Sequence, residues 1–165
     1  CERDLAPSFD RRKLLAQFEG CYRKAPQFEA MRPWLQSVVL DPANNLFDYL
    51  WQSIVKTRDQ LGLTTQLIVS SEVVHDESLK AQDKVLAICK ALGATTYVNA
   101  IGGLELYERE VFAAESVELK FHKARPFEYA QFGNAFVPWL SILDVLMFNP
   151  AAVVDDAVRH QFDLL

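Results

Sequence analysis

The spacing of apolar positions changes twice along the chain and divides it into three stretches. In the first the period is helical. Leu14, Leu15, Phe18, Cys21 and Tyr22 form a stripe behind Phe9-Asp10-Arg11-Arg12-Lys13, with Ser8 placed as its cap and an end near Lys24. Pro26 suits the first position of a second helix, whose buried side is Phe28, Met31, Leu35, Val38 and Val39, and Pro33 kinks it or marks a restart. Asp41-Pro42-Ala43-Asn44-Asn45 breaks the pattern. A third helix is expected over 46–61, with Leu46, Tyr49, Leu50, Ile54 and Leu61 inward and Gly62 as its stop.

From Thr64 the pattern shortens to strand-like runs that alternate with helices. Gln66-Leu67-Ile68-Val69 centres a buried strand over 64–71. Asp76 or Ser78 then caps a helix to about Leu92, carrying Leu79, Val85, Leu86, Cys89 and Leu92 inward and ending at Gly93. Thr95-Thr96-Tyr97-Val98 reads as a second strand. It is followed by a tight loop at Gly102-Gly103 and a helix to about Phe112, with Leu104, Tyr107 and Val111 at helical spacing. A third strand over 117–122 alternates Leu119 and Phe121 with Lys120 and His122. This alternation predicts an α/β fold: a parallel sheet with helices packed around it, plus a helical amino-terminal subregion, in a single domain over 1–165.

The third stretch is aromatic and apolar. Residues 127–136, broken by Gly133 and Asn134, read as a long packed loop. Pro138 opens a helix over 139–148 that Asn149-Pro150 stops, and a last helix covers 151–162. Asp144 is out of place in the apolar helix, since its helical neighbours are Leu140, Met147 and Phe148 with only Ser141 polar. A carboxylate there is either tied by structural hydrogen bonds or serves as a general base facing a cleft.

Composition narrows the classes. At 165 residues, half of them hydrophobic, the chain can bury one sizeable core, and a net charge of -5 argues against a general nucleic-acid surface despite Arg11-Arg12-Lys13 and Arg23-Lys24. Cys1, Cys21 and Cys89 lack metal-like spacing and are expected as reduced thiols of a cytoplasmic protein. His75, His122 and His160 are scattered, so neither a metal site nor a cofactor is expected. No apolar run reaches membrane-spanning length. The chain opens on Cys-Glu-Arg-Asp without an initiator Met and is expected to begin inside a larger protein.

In a parallel sheet every strand ends on the rim where the next helix begins. That rim would gather Ser70, Ser71 and Glu72, with Lys80 and Gln82 from the following helix, then Asn99, Gly102 and Gly103, then His122, Lys123 and Arg125. Glycine-permitted close approach, helix amides and two fixed cations together suit a phosphate or carboxylate. The bland alternative is that the serines are caps and the cations solvated loop residues.

Several ordered motifs resemble one family. Tyr22-Arg23-Lys24-Ala25-Pro26, the segment from Leu61-Gly62 to Ser70-Ser71-Glu72, Thr96-Tyr97-Val98-Asn99 with Ile101-Gly102-Gly103-Leu104-Glu105-Leu106-Tyr107, and the run from Trp139 to Asn149 look like the WbqC-like proteins of bacteria. The resemblance spans nearly the whole chain. It implies a place in O-antigen or other surface-polysaccharide clusters and glycine transfer to an amino sugar, on a small anionic or nucleotide-linked sugar substrate. A non-catalytic module that binds such a sugar or a partner enzyme is the alternative. Members usually begin with a strand and a Gln-Pro loop that this sequence lacks, so a fragment is expected. For transfer, Asp144 or Glu72 would take the amine proton, while Ser70, Ser71, Gln82, Asn99, Gly102, Gly103, Lys123 and Arg125 would bind the ligand.

Overall fold

The computed structural model describes residues 3–133 and 135–165 and is mixed α/β. The readings that touch Cys1 and Asn134 lie outside the described residues. Its contacts divide into two compact units: one takes in the chain up to Thr65 together with Phe127–Arg159, and the other takes in Gln66–Pro126 and His160–Leu165.

The first unit is helical. Helix α1 (Arg11–Tyr22) starts at Asp10 rather than Ser8, because the Asp10 carboxylate accepts from the amides of Arg12 at 2.9 Å and Lys13 at 3.0 Å. Helix α2 (Phe28–Val39) runs through Pro33; Pro26 sits in the turn before it and is not its first residue. Helix α3 (Leu46–Gln60) is capped by Asn45, whose side-chain oxygen accepts from the amides of Phe47 and Asp48. It stops at Gly62, where φ is +64° and the amides of Gly62 and Leu63 return to the carbonyls of Asp59 and Arg58. Leu15, Ala25, Phe28, Leu35, Val39, Leu143 and Met147 form the core of this unit.

Two further expectations in this unit are corrected. Leu50 and Ile54 are exposed, so α3 turns Tyr49 inward and keeps an apolar stripe outside. The apolar helix near the end of the unit, α6 (Ile142–Phe148), starts at Ile142 and not at Pro138. Trp139 has φ of +60°, outside the helical basin, and the Ser141 hydroxyl accepts from the Leu143 amide at 3.2 Å to set the start. Helix α7 (Ala151–His160) follows Asn149-Pro150.

The second unit holds a three-stranded sheet among the described residues. Helix α4 (Ala81–Ala91) precedes β1 (Thr96–Ala100); a 3-10 segment, Ile101–Leu106, and α5 (Arg109–Ala114) lead to β2 (Glu118–Ala124), and β3 (Phe162–Leu164) ends the chain. The order is β1-β2-β3. β1 and β2 are parallel, with Tyr97 opposite Leu119 and Asn99 opposite Phe121, so the inward faces coincide. They pack with Leu86, Cys89, Phe112 and Val117.

The parallel sheet holds only for β1 and β2. β3 pairs antiparallel with β2, because the last helix ends at His160 instead of reaching Phe162 and frees the tail to bond Phe121 in both directions through Leu165. The strand expected over 64–71 is also corrected. Its apolar run finds no ladder partner among the described residues, and Ser70–Glu72 closes into a 3-10 turn through the Glu72 amide and the Val69 carbonyl at 2.9 Å. A strand is defined by pairing, which an apolar run cannot supply alone. Likewise the helix after Gly102-Gly103 begins at Arg109, since Tyr107 is extended, and α4 begins at Ala81 while Asp76 caps only the local turn at Ser78.

Candidate functional site

The most developed polar site in the helical unit is built around Asp144. Apolar neighbours on α6 carry it inward to 4% exposure, where an unpaired carboxylate would be strongly disfavoured. Three neutral donors meet it. Tyr22, at the end of α1, donates to Oδ1 at 2.9 Å; Tyr129 donates to Oδ2 at 2.6 Å, and the Gln131 amide donates to the same oxygen at 2.8 Å. Each hydrogen bond to a charged group contributes about 1.5–3 kcal/mol. The rings complete the enclosure, with Phe148 packed edge-on against Tyr22 and Phe136 edge-on against Tyr129.

The two phenols respond to this setting. Burial, then the hydrogen bond to Asp144, pushes Tyr129 up to about 12 and raises Tyr22 as well. Both therefore remain donors throughout the neutral range. Gln131 relays the hold outward: its oxygen accepts from the Val137 amide at 2.8 Å and its nitrogen reaches the Val137 carbonyl at 3.3 Å. The side chain thus does for Val137 what a neighbouring strand would do, and it closes the aromatic loop at its base. A cleft of about 210 Å³ in the same unit is lined largely by Met31, Leu61, Leu146 and Val154, and Asp144 is not in its wall.

Tyr22, Tyr129 and Gln131 were missed as partners of Asp144. A faint signal existed, since Tyr129 and Gln131 stand two apart in a stretch without helix, the spacing at which side chains of an extended chain share a side. Tyr22 is 122 positions from Asp144, and no local pattern links them.

The other candidates lie in the sheet unit. Ser70, Ser71 and Glu72 form their own exposed 3-10 turn. Gln82 accepts from the Glu108 amide at 2.7 Å and so ties α4 to the entry of α5. Asn99 folds over Gly103: a Cβ there would lie 2.5 Å from the Asn99 amide nitrogen and 3.4 Å from the Tyr107 ring. Gly103 thus admits a side chain of its own unit, while the Cβ position of Gly102 is open. Arg125 is paired with Asp163 on β3, which raises the guanidinium and lowers the carboxyl through their mutual hydrogen bond. Lys123 is exposed and stands opposite Asp163 in the ladder; His122 stacks on Phe162 at 4.8 Å. Among the described residues no group of three His, Cys, Asp or Glu side chains could hold a metal ion, and no helix is long and apolar enough to cross a membrane.

Fold and site together define a small mixed α/β protein: in its helical unit a buried carboxylate is held by phenols and an amide, and in its sheet unit a strand end carries cations. The WbqC-like protein family model matches residues 2–156, and the chain belongs to that family. No curated protein and no solved structure matches the chain.

Proposed function

We propose that the protein serves bacterial surface-polysaccharide assembly, including O-antigen, by binding a phosphate-bearing, nucleotide-linked amino sugar through Lys123, Arg125 and the open backbone at Gly102. Membership of the WbqC-like family is what supports this setting. The observation that carries binding over catalysis is the enclosure of Asp144: both oxygens are engaged and the group is buried, which suits an anchor more than a base that must meet an amine. Cation and backbone contacts of this kind recognise phosphate without chemistry.

Glycyl transfer is the second reading, favoured by one feature. Glu72 is an exposed carboxylate in the sheet unit and could accept the amine proton, leaving Asp144 its anchoring part. Titration calorimetry with nucleotide-linked amino sugars tests the first reading. Binding should weaken in Lys123→Ala and persist in Arg159→Ala; absence of binding at millimolar sugar would overturn it. Mass spectrometry with a glycyl donor tests the second, where a glycylated product lost in Glu72→Gln would favour transfer.

A further inference from the structure

Helix α3 packs one face on the helical unit and leaves an apolar stripe exposed on the other. On the inner face the Tyr49 hydroxyl donates to the Val39 carbonyl at 3.0 Å, and Lys56 reaches the Ser37 carbonyl and Asp41. On the outer face Phe47, Leu50, Trp51 and Ile54 recur at spacings of three and four, which sets them in one stripe. Phe47 is 37%, Leu50 50% and Ile54 52% exposed. The rings of Phe47 and Trp51 stack at 6.1 Å, so the stripe is shaped by its own packing. Arg58 continues it by one turn toward the carboxy-terminus, and Asp48 flanks its other end.

We propose that this stripe is the surface through which the chain pairs with a second copy of itself, the two α3 helices lying antiparallel about a twofold axis. Charge placement selects that partner and that direction. Antiparallel pairing brings the end of one helix that carries Asp48 to the end of the other that carries Arg58, and a twofold axis makes the contact twice. A parallel pair would instead set Asp48 against Asp48 and Arg58 against Arg58. Arg58 is held only by Asp59, an exposed neighbour on the same helix, and by a long 3.4 Å contact to the Thr65 carbonyl, contacts that contribute little against the exchange. Antiparallel helix dipoles reinforce the arrangement. The apolar centre supplies the attraction, since Leu50, Trp51 and Ile54 leave water together on both copies.

Sedimentation equilibrium over a concentration series tests this on the wild-type chain and four variants. The wild type should show a monomer–dimer equilibrium. Leu50→Glu and Ile54→Glu should each raise the dimer Kd at least about tenfold, with circular dichroism unchanged because both side chains are exposed. Asp48→Arg should weaken the dimer, and Asp48→Arg with Arg58→Asp should restore it. A wild type that stays monomeric to millimolar concentration would overturn the proposal. So would a dimer indifferent to the stripe substitutions, a charge swap without rescue, or wild-type monomer that binds lipid vesicles in place of itself.

Discussion

Asp41 and Asp144 are buried carboxylates of the helical unit, at 7% and 4% exposure, and the protein keeps them by opposite means. Asp41 has a cation: Lys56 lies at 2.6 Å and the Ala43 amide at 2.9 Å. Burial pushes its carboxyl up, but the Lys56 and Ala43 hydrogen bonds outweigh that and hold it below the usual range. The interaction joins α3 to the corner after α2, within 15 positions of sequence. Asp144 has Tyr22, Tyr129 and Gln131 and draws them from two separate segments, the end of α1 and the aromatic loop. An ion pair braces one corner with two side chains. A carboxylate among neutral donors needs every donor, so it fastens the end of α1, the aromatic loop and α6 at once.

The comparison is broken most directly by removing each centre. Asp144→Ala strands two phenols and an amide, and should lower the unfolding free energy by about 3–5 kcal/mol in urea denaturation. A loss below about 1 kcal/mol would mean the donors re-pair elsewhere and the site fastens nothing. Asp144→Asn retains an acceptor oxygen, and should cost about 1–3 kcal/mol. The same urea series applied to Lys56→Met should show about 1–3 kcal/mol, less than for a fully buried pair because Lys56 is partly exposed. A cost equal to that of Asp144→Ala would erase the distinction.

Titration sharpens it from both sides. The folded-state values of Tyr22 and Tyr129 are raised, so their contribution is complete below the ordinary value of 10 and is lost as pH rises through the folded values, about 12 for Tyr129. Melting temperature should fall across that alkaline window, and Tyr129→Phe should flatten part of the fall at a cost of about 1 kcal/mol near neutrality. Asp41 works in the opposite direction. Its folded value is lowered, so its contribution is present above the ordinary value of 3.8 and is lost as pH falls through the folded value. The acid loss should be the smallest of these effects and should shrink in Lys56→Met, where only the Ala43 amide and the more distant Arg11 still lower Asp41; if it persisted there unchanged, Lys56 would not contribute to lowering Asp41.

Much of the fold was legible because its determinants are local. The three leading helices, the stops at Gly62 and Gly93, and the alternation that pairs Leu119 and Phe121 inward all depend on residues within a turn or two of each other. The misplaced starts of α1 and α6 are small errors of the same local kind, where Asp10 and Ser141 cap better placed helices than Ser8 and Pro138. The oddity of Asp144 was also visible, since a carboxylate in an apolar helix stands out without any structure.

Sequence by itself therefore determined the periods, the helix stops at Gly62 and Gly93, and the misfit of Asp144 in its apolar helix. Tertiary structure alone decided which segments answer them. The run at 66–69 had the composition of a strand but no ladder to join, whereas the unremarkable tail at 162–164 became one by pairing with β2. Leu50 and Ile54 had the spacing of core residues as much as Tyr49 did, yet α3 turned Tyr49 inward and left those two exposed. Asp144 found its donors 122, 15 and 13 positions away. Helical periods and caps act over a few bonds and can be read along the chain, while sheet pairing and the satisfaction of a buried charge depend on which distant groups the folded chain brings within about 3 Å of each other.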